Sequence, residues 1–303
     1  LSHPVAHYLP AFAAQQVYDP ATGITSPAPR EATVHDLLRH TAGLSYAWDL
    51  GTVPDAYRAA RIGSRRHSNT ELAAALGPLP LVHAPGSCWE YSRATDVLGA
   101  VLEVIEGEPL GAILQRRVFG PLGMHDTGFA VPAAQQHRLA EAFERDPQTG
   151  LGMPLIDVTA PPVFESAGGG LVSTASDYAR FLQLMLGRGT APGPDGPNGI
   201  DAPVRLLGRA TVDFMTADHL GNLPVAGDIL PTGYGFGLGV AVRTATGQAT
   251  RPGSAGHYSW SGLGGTFFFV DPAEDLFAIL LTQAPGQLRY LCELYPALVY
   301  AAL

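Results

Sequence analysis

The stretch GTFFFVDPAEDLFAILLTQ, residues 265–283, contains two apolar runs rich in aromatic and β-branched side chains, joined by the short connection Asp-Pro-Ala-Glu-Asp. This pattern predicts an antiparallel hairpin within a central sheet. The tail that follows, LRYLCELYPALVYAAL at 288–303, has apolar residues at helical spacing. We therefore expect a terminal helix that packs on the sheet.

Two capping boxes mark helix starts upstream. In TVHDLLRHTAGL, Thr33 is followed three residues later by Asp36, and Gly43 is expected to stop the helix after one or two turns. Ser68 and Glu71 stand in the same relation at the start of SNTELAAALG. Both stretches are predicted to be amphipathic helices packed on a core.

Another helix is predicted in CWEYSRATDVLGAVLEVIEG, residues 88–107, where apolar residues recur with helical spacing until Gly107. Its predicted core face comprises Val97, Leu98, Val101, Leu102 and Ile105. The triplet Tyr91-Ser92-Arg93 lies where this helix begins. These residues could serve packing at the start of the helix or a chemical function, and other segments of the chain are needed to distinguish the two.

A glycine-rich segment precedes a further helix in SAGGGLVSTASDYARFLQLMLGRG. The glycines from Gly168 onward predict a turn with positive φ, and Thr174 predicts a helix cap. The helix is expected to bury Tyr178, Phe181, Leu182 and Met185. The segment 190–208, rich in proline and glycine, is predicted to be a surface loop.

Together these elements predict an α+β protein that occupies 1–303 as a single domain. A mostly helical lobe is expected at about 30–220 and a sheet lobe at about 230–303. Because clefts form between such lobes, a site there would draw on residues from both.

Composition restricts the classes of partner. The 303 residues carry a net charge of -9, which disfavours nucleic acid and acidic membrane surfaces. No uninterrupted apolar run is long enough to span a bilayer, so small neutral or cationic molecules remain as ligands. The sequence shows no signal-like segment before LSHPVAHYLP, so either none exists or residue 1 is not the natural start, and the compartment stays open with a slight preference for the cytoplasm. The oligomeric state is equally open.

Standard motif searches give no result. The chain contains no G-x-S-x-G, H-E-x-x-H or Walker sequence, and its ten histidines form no recognisable ligand set. Cys88 and Cys292 stand far apart and are expected to be buried thiols. All eighteen basic residues are arginines, so the chain has no lysine.

Six segments follow one another along the chain: HPVAHYLPAF, TVHDLLRHTAGL, PGSCWEYSRATDVLGAVLEVIEGEPL, PLGMHDTGF, SAGGGLVSTASDYARF and YSWSGLGGTFFFVDPAEDLFAILLTQ. Together they resemble the serine hydrolases with the fold of class C β-lactamases and D,D-peptidases, especially the esterases of that fold. The resemblance implies a β-lactamase/transpeptidase-like fold, with a central antiparallel sheet, flanking helices and a mostly helical lobe. It implies no metal and no organic cofactor.

In that family a serine from a Ser-x-x-Lys helix attacks an acyl substrate, a tyrosine handles protons, and a Lys-Thr-Gly strand segment binds substrate. By this resemblance Tyr91 is the catalytic tyrosine. Arg93 replaces an asparagine, and its charge is expected to stabilise the phenolate of Tyr91. Trp260, Ser261 and Gly262 fall where Lys-Thr-Gly would, and a tryptophan there favours an uncharged acyl substrate.

His257 lies just before this segment and is expected to line the cleft or to act as an extra base, although a surface histidine is the more ordinary interpretation. An N–H near Leu263 is a candidate donor to an oxyanion hole. The ordinary alternative for Tyr91 is a packed ring with a solvated hydroxyl. For Trp260 it is an aromatic packed at the end of an edge strand.

The chain lacks the Ser-x-x-Lys segment of the family because it has no lysine. In the family that helix lies upstream of the segment that HPVAHYLPAF resembles, so we expect the nucleophile upstream of residue 1. An alternative is a catalytically inactive relative that binds an acyl or peptide ligand. Another is Ser92 or Ser261 acting with Tyr91, and within the class a β-lactamase, D,D-peptidase or acyltransferase remains open.

Overall fold

A computed structural model describes residues 1–146, 150, 155–194 and 202–303. The chain divides into two compact units, each assembled from separate segments. Unit 1 comprises Leu1–Ile113, Pro162–Gly170 and His219–Leu230. Unit 2 comprises Leu114–Pro161, Leu171–Asp218 and Pro231–Leu303.

The unit bounds differ from the predicted lobes at about 30–220 and 230–303, because much of 114–218 folds with the C-terminal sheet. That 1–303 forms a single domain stays a prediction. Within the described residues, no helix combines the length and the apolar composition needed to cross a bilayer.

Unit 1 is built mainly of short helices. Its elements are the antiparallel strands β1 (Gln16–Asp19) and β2 (Ile24–Pro27), helices α1 (Val34–Leu38), α2 (Thr52–Ala59), α3 (Asn69–Leu76) and α4 (Ala94–Glu106), the start of α5 (Leu110–Leu114), and 3-10 turns at Val5–His7 and Pro10–Phe12. Helix α4 contacts both α1 and α3. Leu37, Leu72 and Val97 are fully buried between them, and each such side chain contributes about 1.5–3 kcal/mol by leaving water.

Both predicted capping boxes are confirmed. The Thr33 hydroxyl accepts a hydrogen bond from the Asp36 N–H, and the Asp36 carboxylate accepts one from the Thr33 N–H. Ser68 and Glu71 make the same reciprocal pair at the start of α3. Each box satisfies two backbone donors that the first turn of a helix leaves without a partner.

Helix α1 ends at Leu38, earlier than predicted from Gly43. The backbone enters the left-handed region at His40, whose φ is 54°. Gly43 also has a positive φ, and a Cβ there would collide with the carbonyl oxygen of His83. This glycine therefore allows a close backbone approach beyond the end of the helix.

The helix predicted after the Tyr-Ser-Arg triplet is confirmed as α4, which ends at Gly107 with a left-handed φ of 71°. Val97 and Val101 are buried as expected. Ile105 is 53% exposed, so the predicted core face does not extend into the last turn.

Unit 2 is built around a sheet. Its helices are α6 (Gly120–Leu122), preceded by a π-helical turn at Gln115–Phe119, then α7 (Ala175–Leu186), α8 (Arg209–Met215) and α9 (Leu288–Tyr300), with 3-10 turns at Ala133–Arg138 and Pro285–Gln287. Its strands are β3 (Thr190–Pro192), β4 (Pro203–Arg205), β5 (Tyr234–Phe236), β6 (Ala241–Arg243), β7 (Tyr258–Gly262), β8 (Thr266–Asp271) and β9 (Leu276–Leu280). Within the described residues, β5 to β9 form an antiparallel sheet in sequence order.

The predicted hairpin is confirmed as β8 and β9, with Phe268 opposite Ile279. The predicted terminal helix is confirmed as α9, whose Tyr295 and Val299 pack against the sheet residue Phe269 and its neighbours. Strand β7 pairs with β6 and β8 on its two sides. Strand β7 is therefore not an edge strand of the described sheet, but Trp260 itself pairs only with Phe268 of β8, and the alternative of a packed aromatic stays open.

The predicted loop at 190–208 is partly wrong, because strands β3 and β4 pair antiparallel within it, with Ala191 opposite Val204. Residues 195–201 of that loop lie outside the described residues. The predicted cap of α7 is confirmed, since the Thr174 hydroxyl accepts a hydrogen bond from the Asp177 N–H.

The positive φ predicted for the glycine-rich segment is wrong, because Gly168, Gly169 and Gly170 are not among the residues with a left-handed backbone. Instead, the Gly168 N–H donates to the carboxylate of Asp96 at 3.0 Å. A Cβ at Gly168 would lie 3.3 Å from the same carboxylate oxygen. The glycine thus permits a close approach of backbone to side chain.

Candidate functional site

Backbone hydrogen bonds from two directions hold the residues before Tyr91. The Trp89 N–H donates to the Pro224 carbonyl at 2.9 Å, and the Glu90 N–H donates to the His40 carbonyl at 2.9 Å. The segment then enters α4. Tyr91 therefore extends from a backbone that is fixed on both sides.

Three rings surround the partly buried side chain of Tyr91. The ring centroids of His40, Tyr46 and Trp89 lie 4.7, 5.4 and 6.5 Å from that of Tyr91. A side-chain hydrogen bond joins Tyr46 to Tyr91, and burial followed by the effect of Tyr91 raises the pKa of Tyr46. Tyr46 therefore keeps its proton at neutral pH, and either hydroxyl of this pair can act as the donor.

His40 has a structural role beside Tyr91. The Ser92 N–H donates to its Nδ1 at 3.2 Å, so Nδ1 carries no proton and the Nε2–H is directed to the Thr95 hydroxyl at 3.3 Å. Burial lowers the pKa of His40 to about 3. Ser92 is only 1% exposed. Because its hydroxyl is inaccessible, we set aside Ser92 as a nucleophile.

The guanidinium of Arg93 is engaged in two kinds of contact. It donates to the Asp96 carboxylate at 2.8 Å, and its carbon lies 5.0 Å from the ring centroid of Tyr46 and 5.9 Å from that of Trp48. The side chain is 15% exposed. Arg93 thus reaches Tyr91 through their shared neighbour Tyr46, and the stabilisation of a Tyr91 phenolate by Arg93 stays a prediction.

Asp96 and Tyr46 are site residues that the sequence analysis missed. Asp96 accepts hydrogen bonds from Arg93, from the Ser166 hydroxyl at 2.6 Å and from the Gly168 N–H. Its spacing of three residues from Arg93 on a helix is the signal for an ion pair. Tyr46 carries no such local signal.

In unit 2, Trp260 lines an apolar cavity of about 260 Å³ between α7, α8 and the sheet. Its indole also meets Phe236 edge-on, with centroids 5.2 Å apart. The other lining residues are Tyr178, Phe181, Met185, Met215, Thr216, Leu238, Gly239, Val240, Tyr258 and Phe268. None of these described lining residues carries a formal charge, so the cavity suits an uncharged ligand.

Tyr258 supplies the cavity with a polar group. Its hydroxyl is buried and has no hydrogen-bond partner among the described residues. Burial raises the pKa of Tyr258, so the hydroxyl stays protonated. It is a donor without a described partner in the packed wall of the cavity, and its oxygen has almost no accessible surface.

Ser261 is not among the described residues that line the cavity beside Trp260, and its expected contact with the substrate stays a prediction. Successive side chains of a strand point to opposite faces of its sheet. The Ser261 side chain is hydrogen-bonded to Cys292 on α9, and burial raises the pKa of that thiol to about 11. Gly262 lies beyond, where a Cβ would collide with the Thr266 hydroxyl.

The structure places His257 in the interior, with 0% exposure. Its Nδ1 lies 2.9 Å from the Tyr300 hydroxyl, which donates to Asp271 at 2.5 Å. The ring stacks on Phe269 with centroids 5.0 Å apart. This burial contradicts the expected substrate contact, and we assign His257 to the attachment of α9.

The remaining polar groups form no obvious metal centre. Within the described ranges, no group of three or more His, Cys, Asp or Glu is spaced to hold a metal ion. Cys88 is a buried free thiol, as expected, whereas the thiol of Cys292 is partly buried.

The family model described as Beta-lactamase matches residues 1–303. The chain belongs to the β-lactamase family. It is 38% identical to Protein Rv1367c of Mycobacterium tuberculosis in an alignment 299 residues long, which covers 93% of this chain and 71% of that protein. It is 33% identical to Esterase EstB of Burkholderia gladioli in an alignment 273 residues long, which covers 83% of this chain and 64% of the esterase.

The solved structure of EstCE1, a hydrolase with promiscuous acyltransferase activity, is similar with a TM-score of 0.75 and 26% identity, covering 100% of this chain and 77% of that one. The predicted α+β, β-lactamase/transpeptidase-like fold is confirmed, as is the predicted family. Esterase and carboxypeptidase relatives place the chain in a family of hydrolases. The expectation that Tyr91 and Trp260 line one cleft stays a prediction.

Proposed function

We propose that the protein hydrolyses an uncharged ester through a serine acyl-enzyme. The observation that carries this proposal is the apolar cavity beside Trp260, which has no charged lining residue among those described. A lysine at this position would bind a carboxylate, whereas an indole offers an aromatic surface to a neutral acyl group. The similarity to an esterase at 33% identity supports the same substrate class.

In this proposal Tyr91 transfers protons to and from the reacting oxygen. Tyr46 orients the Tyr91 phenol through their hydrogen bond. The guanidinium of Arg93 lies over the Tyr46 ring and places a positive charge beside this pair. Trp260 forms the wall against which the acyl group packs. Ser261 keeps a structural role toward α9.

The nucleophile of this proposal is a serine outside the present numbering, since a Ser-x-x-Lys pair requires a lysine and the 303 residues contain none. The relatives are longer than the region they share with this chain, which is compatible with such a segment. The activity of the whole protein is therefore part of the proposal.

The test uses the full-length protein with p-nitrophenyl butyrate, and labelling by a fluorophosphonate probe followed by peptide mass spectrometry. Turnover, a single labelled serine upstream of residue 1, and loss of turnover in Tyr91→Phe would support the proposal. Tyr295→Phe removes a hydroxyl that bonds the Ile279 carbonyl and serves as the control. Tight ligand binding without turnover would instead indicate an inactive relative, and cleavage of a β-lactam or peptide alone would indicate those activities.

A further inference from the structure

The indole of Trp48 is exposed beside the hydrogen-bonded pair of Tyr46 and Tyr91. Trp48 lies in the loop between α1 and α2, and it is 58% exposed. Its ring stacks on that of Tyr46, with centroids 3.8 Å apart and an angle of 13° between the planes. The Tyr46 ring is in turn 5.4 Å from that of Tyr91. Trp48 is therefore one ring away from the candidate catalytic phenol.

Hydrogen bonds fix the loop that carries this indole. The Asp49 carboxylate accepts a hydrogen bond from the Tyr46 N–H at 3.2 Å. The guanidinium of Arg58, on α2, donates to the carbonyls of Ala47 and Asp49, which flank Trp48 on both sides. A ligand that stacks on the indole therefore does not have to order this loop, and the entropic cost of binding is reduced.

The rings that contact Tyr91 directly offer little surface to a ligand. His40, Tyr46 and Trp89 are each at most 5% exposed. An apolar group next to the Tyr91 hydroxyl can gain contact area on the exposed indole of Trp48, but hardly any on these three buried rings. Among these four rings, Trp48 is the one with surface for a ligand.

The proposed reaction determines which part of the substrate lies near Trp48. In acylation the serine oxygen bonds to the carbonyl carbon, the bond from that carbon to the alcohol oxygen breaks, and the proton that Tyr91 takes from the serine passes to the departing oxygen. This transfer requires the Tyr91 hydroxyl within hydrogen-bond reach of the alcohol oxygen. The carbon atoms of the alcohol therefore lie beside Tyr91, whereas the acyl group is assigned to the cavity beside Trp260.

We propose that Trp48 binds the alcohol part of the substrate and gives the protein a preference for esters of aromatic alcohols. This assignment rests on the proposed function. An aromatic ring gains more than an alkyl group from an exposed indole, because the charge distributions of two rings favour offset-stacked contact. If Trp48 served only to cover Tyr46, its replacement would affect all esters equally.

The experiment measures kcat/KM of the full-length protein in a pH-stat with benzyl butyrate and ethyl butyrate. The two esters give the same acyl-enzyme and differ in the alcohol alone. Trp48→Ala is expected to lower kcat/KM about tenfold for benzyl butyrate, because the stacking surface is lost, and less than about twofold for ethyl butyrate, because a short alcohol does not reach the indole. Trp48→Phe keeps a ring and is expected to stay within about threefold of the wild type with both esters.

Leu50→Ala, at a 94% exposed position of the same loop, is the control and is expected to match the wild type with both esters. Circular dichroism confirms folding, and Trp48→Leu, which has an apolar side chain without a ring, replaces Trp48→Ala if that variant does not fold.

Three results would overturn the assignment and leave the proposed hydrolase activity in place: an equal loss with both esters, no loss with benzyl butyrate, or a wild type that hydrolyses ethyl butyrate but not benzyl butyrate. Absence of turnover of either ester by the wild type would overturn the proposed function itself, and the assignment with it.

Discussion

The side chains of Tyr46 and Tyr91 are hydrogen-bonded, with their rings 5.4 Å apart and tilted by 44°. Arg93 lies over the other ring of this pair, that of Tyr46, and is itself bound to Asp96. The phenol at the start of α4 therefore belongs to a connected polar and aromatic cluster. A residue packed only for its apolar ring would not need such a set of polar neighbours.

The first prediction concerns Tyr46→Phe, which removes the hydroxyl that is hydrogen-bonded to Tyr91 and keeps the ring that stacks on Trp48. If Tyr91 transfers protons, loss of its orientation is expected to lower kcat for p-nitrophenyl butyrate about five- to tenfold, with KM unchanged. Steady-state kinetics of the full-length protein measure both constants. An unchanged kcat, or an equal loss in Tyr295→Phe, would show that Tyr46 has only a structural role.

Local signals in the sequence were sufficient for much of the fold. The boxes at Thr33 and Ser68, the stop at Gly107 and the hairpin around Pro272 each depend on residues within a few positions of one another, and each was predicted correctly. The end of α1 was not predicted correctly, because His40 is held in a left-handed conformation by contacts with the distant residues before α4.

Site chemistry was harder to predict because it depends on contacts between distant segments. Nothing near Tyr46 in the sequence indicates that it contacts Tyr91, and the burial of His257 depends on Tyr300 at the end of α9. Strand alternation alone would have predicted that the side chains of Trp260 and Ser261 point to opposite faces of the sheet. That signal was outweighed by the order of residues in the family motif.

Trp260→Ala tests the cavity as an acyl site. Removing the indole takes away apolar contact worth about 1–3 kcal/mol, so kcat/KM for p-nitrophenyl hexanoate is expected to fall tenfold or more. p-Nitrophenyl acetate contacts less of the cavity wall, so its kcat/KM is expected to fall by less than about threefold. The exposed aromatic Phe143, replaced by alanine, is the control. Equal losses for the two esters would indicate a general structural defect instead.

Arg93→Lys tests the stacked and ion-paired guanidinium. Lysine keeps the charge but loses the planar contact with Tyr46 and Trp48, so we expect the free energy of unfolding to fall by about 1–2 kcal/mol. Urea denaturation followed by circular dichroism measures this change. Arg188→Lys, in an exposed pair with Asp213, is expected to leave it nearly unchanged. Similar effects of the two substitutions would contradict a special role for Arg93.

The last prediction concerns His257 and the pH dependence of stability. Burial lowers the pKa of His257 to about 4, and Arg251 and Arg243 act in the same direction against the opposing charge of Asp271. In the unfolded chain a histidine titrates near about 6.5. Between these two values the unfolded state binds the proton and the native state does not, so acidification favours unfolding.

The titration of His257 is therefore expected to lower the wild-type free energy of unfolding by about 2 kcal/mol between pH 7 and pH 5. His257→Asn lowers stability at both pH values by loss of the ring that stacks on Phe269, but it removes this part of the pH dependence. His125→Asn, at an exposed position, is expected to keep the wild-type slope. Because the readout is the slope and not the absolute stability, an equal slope in wild type and His257→Asn would contradict the prediction, since it would mean that His257 binds its proton over the same pH range in the native and unfolded states.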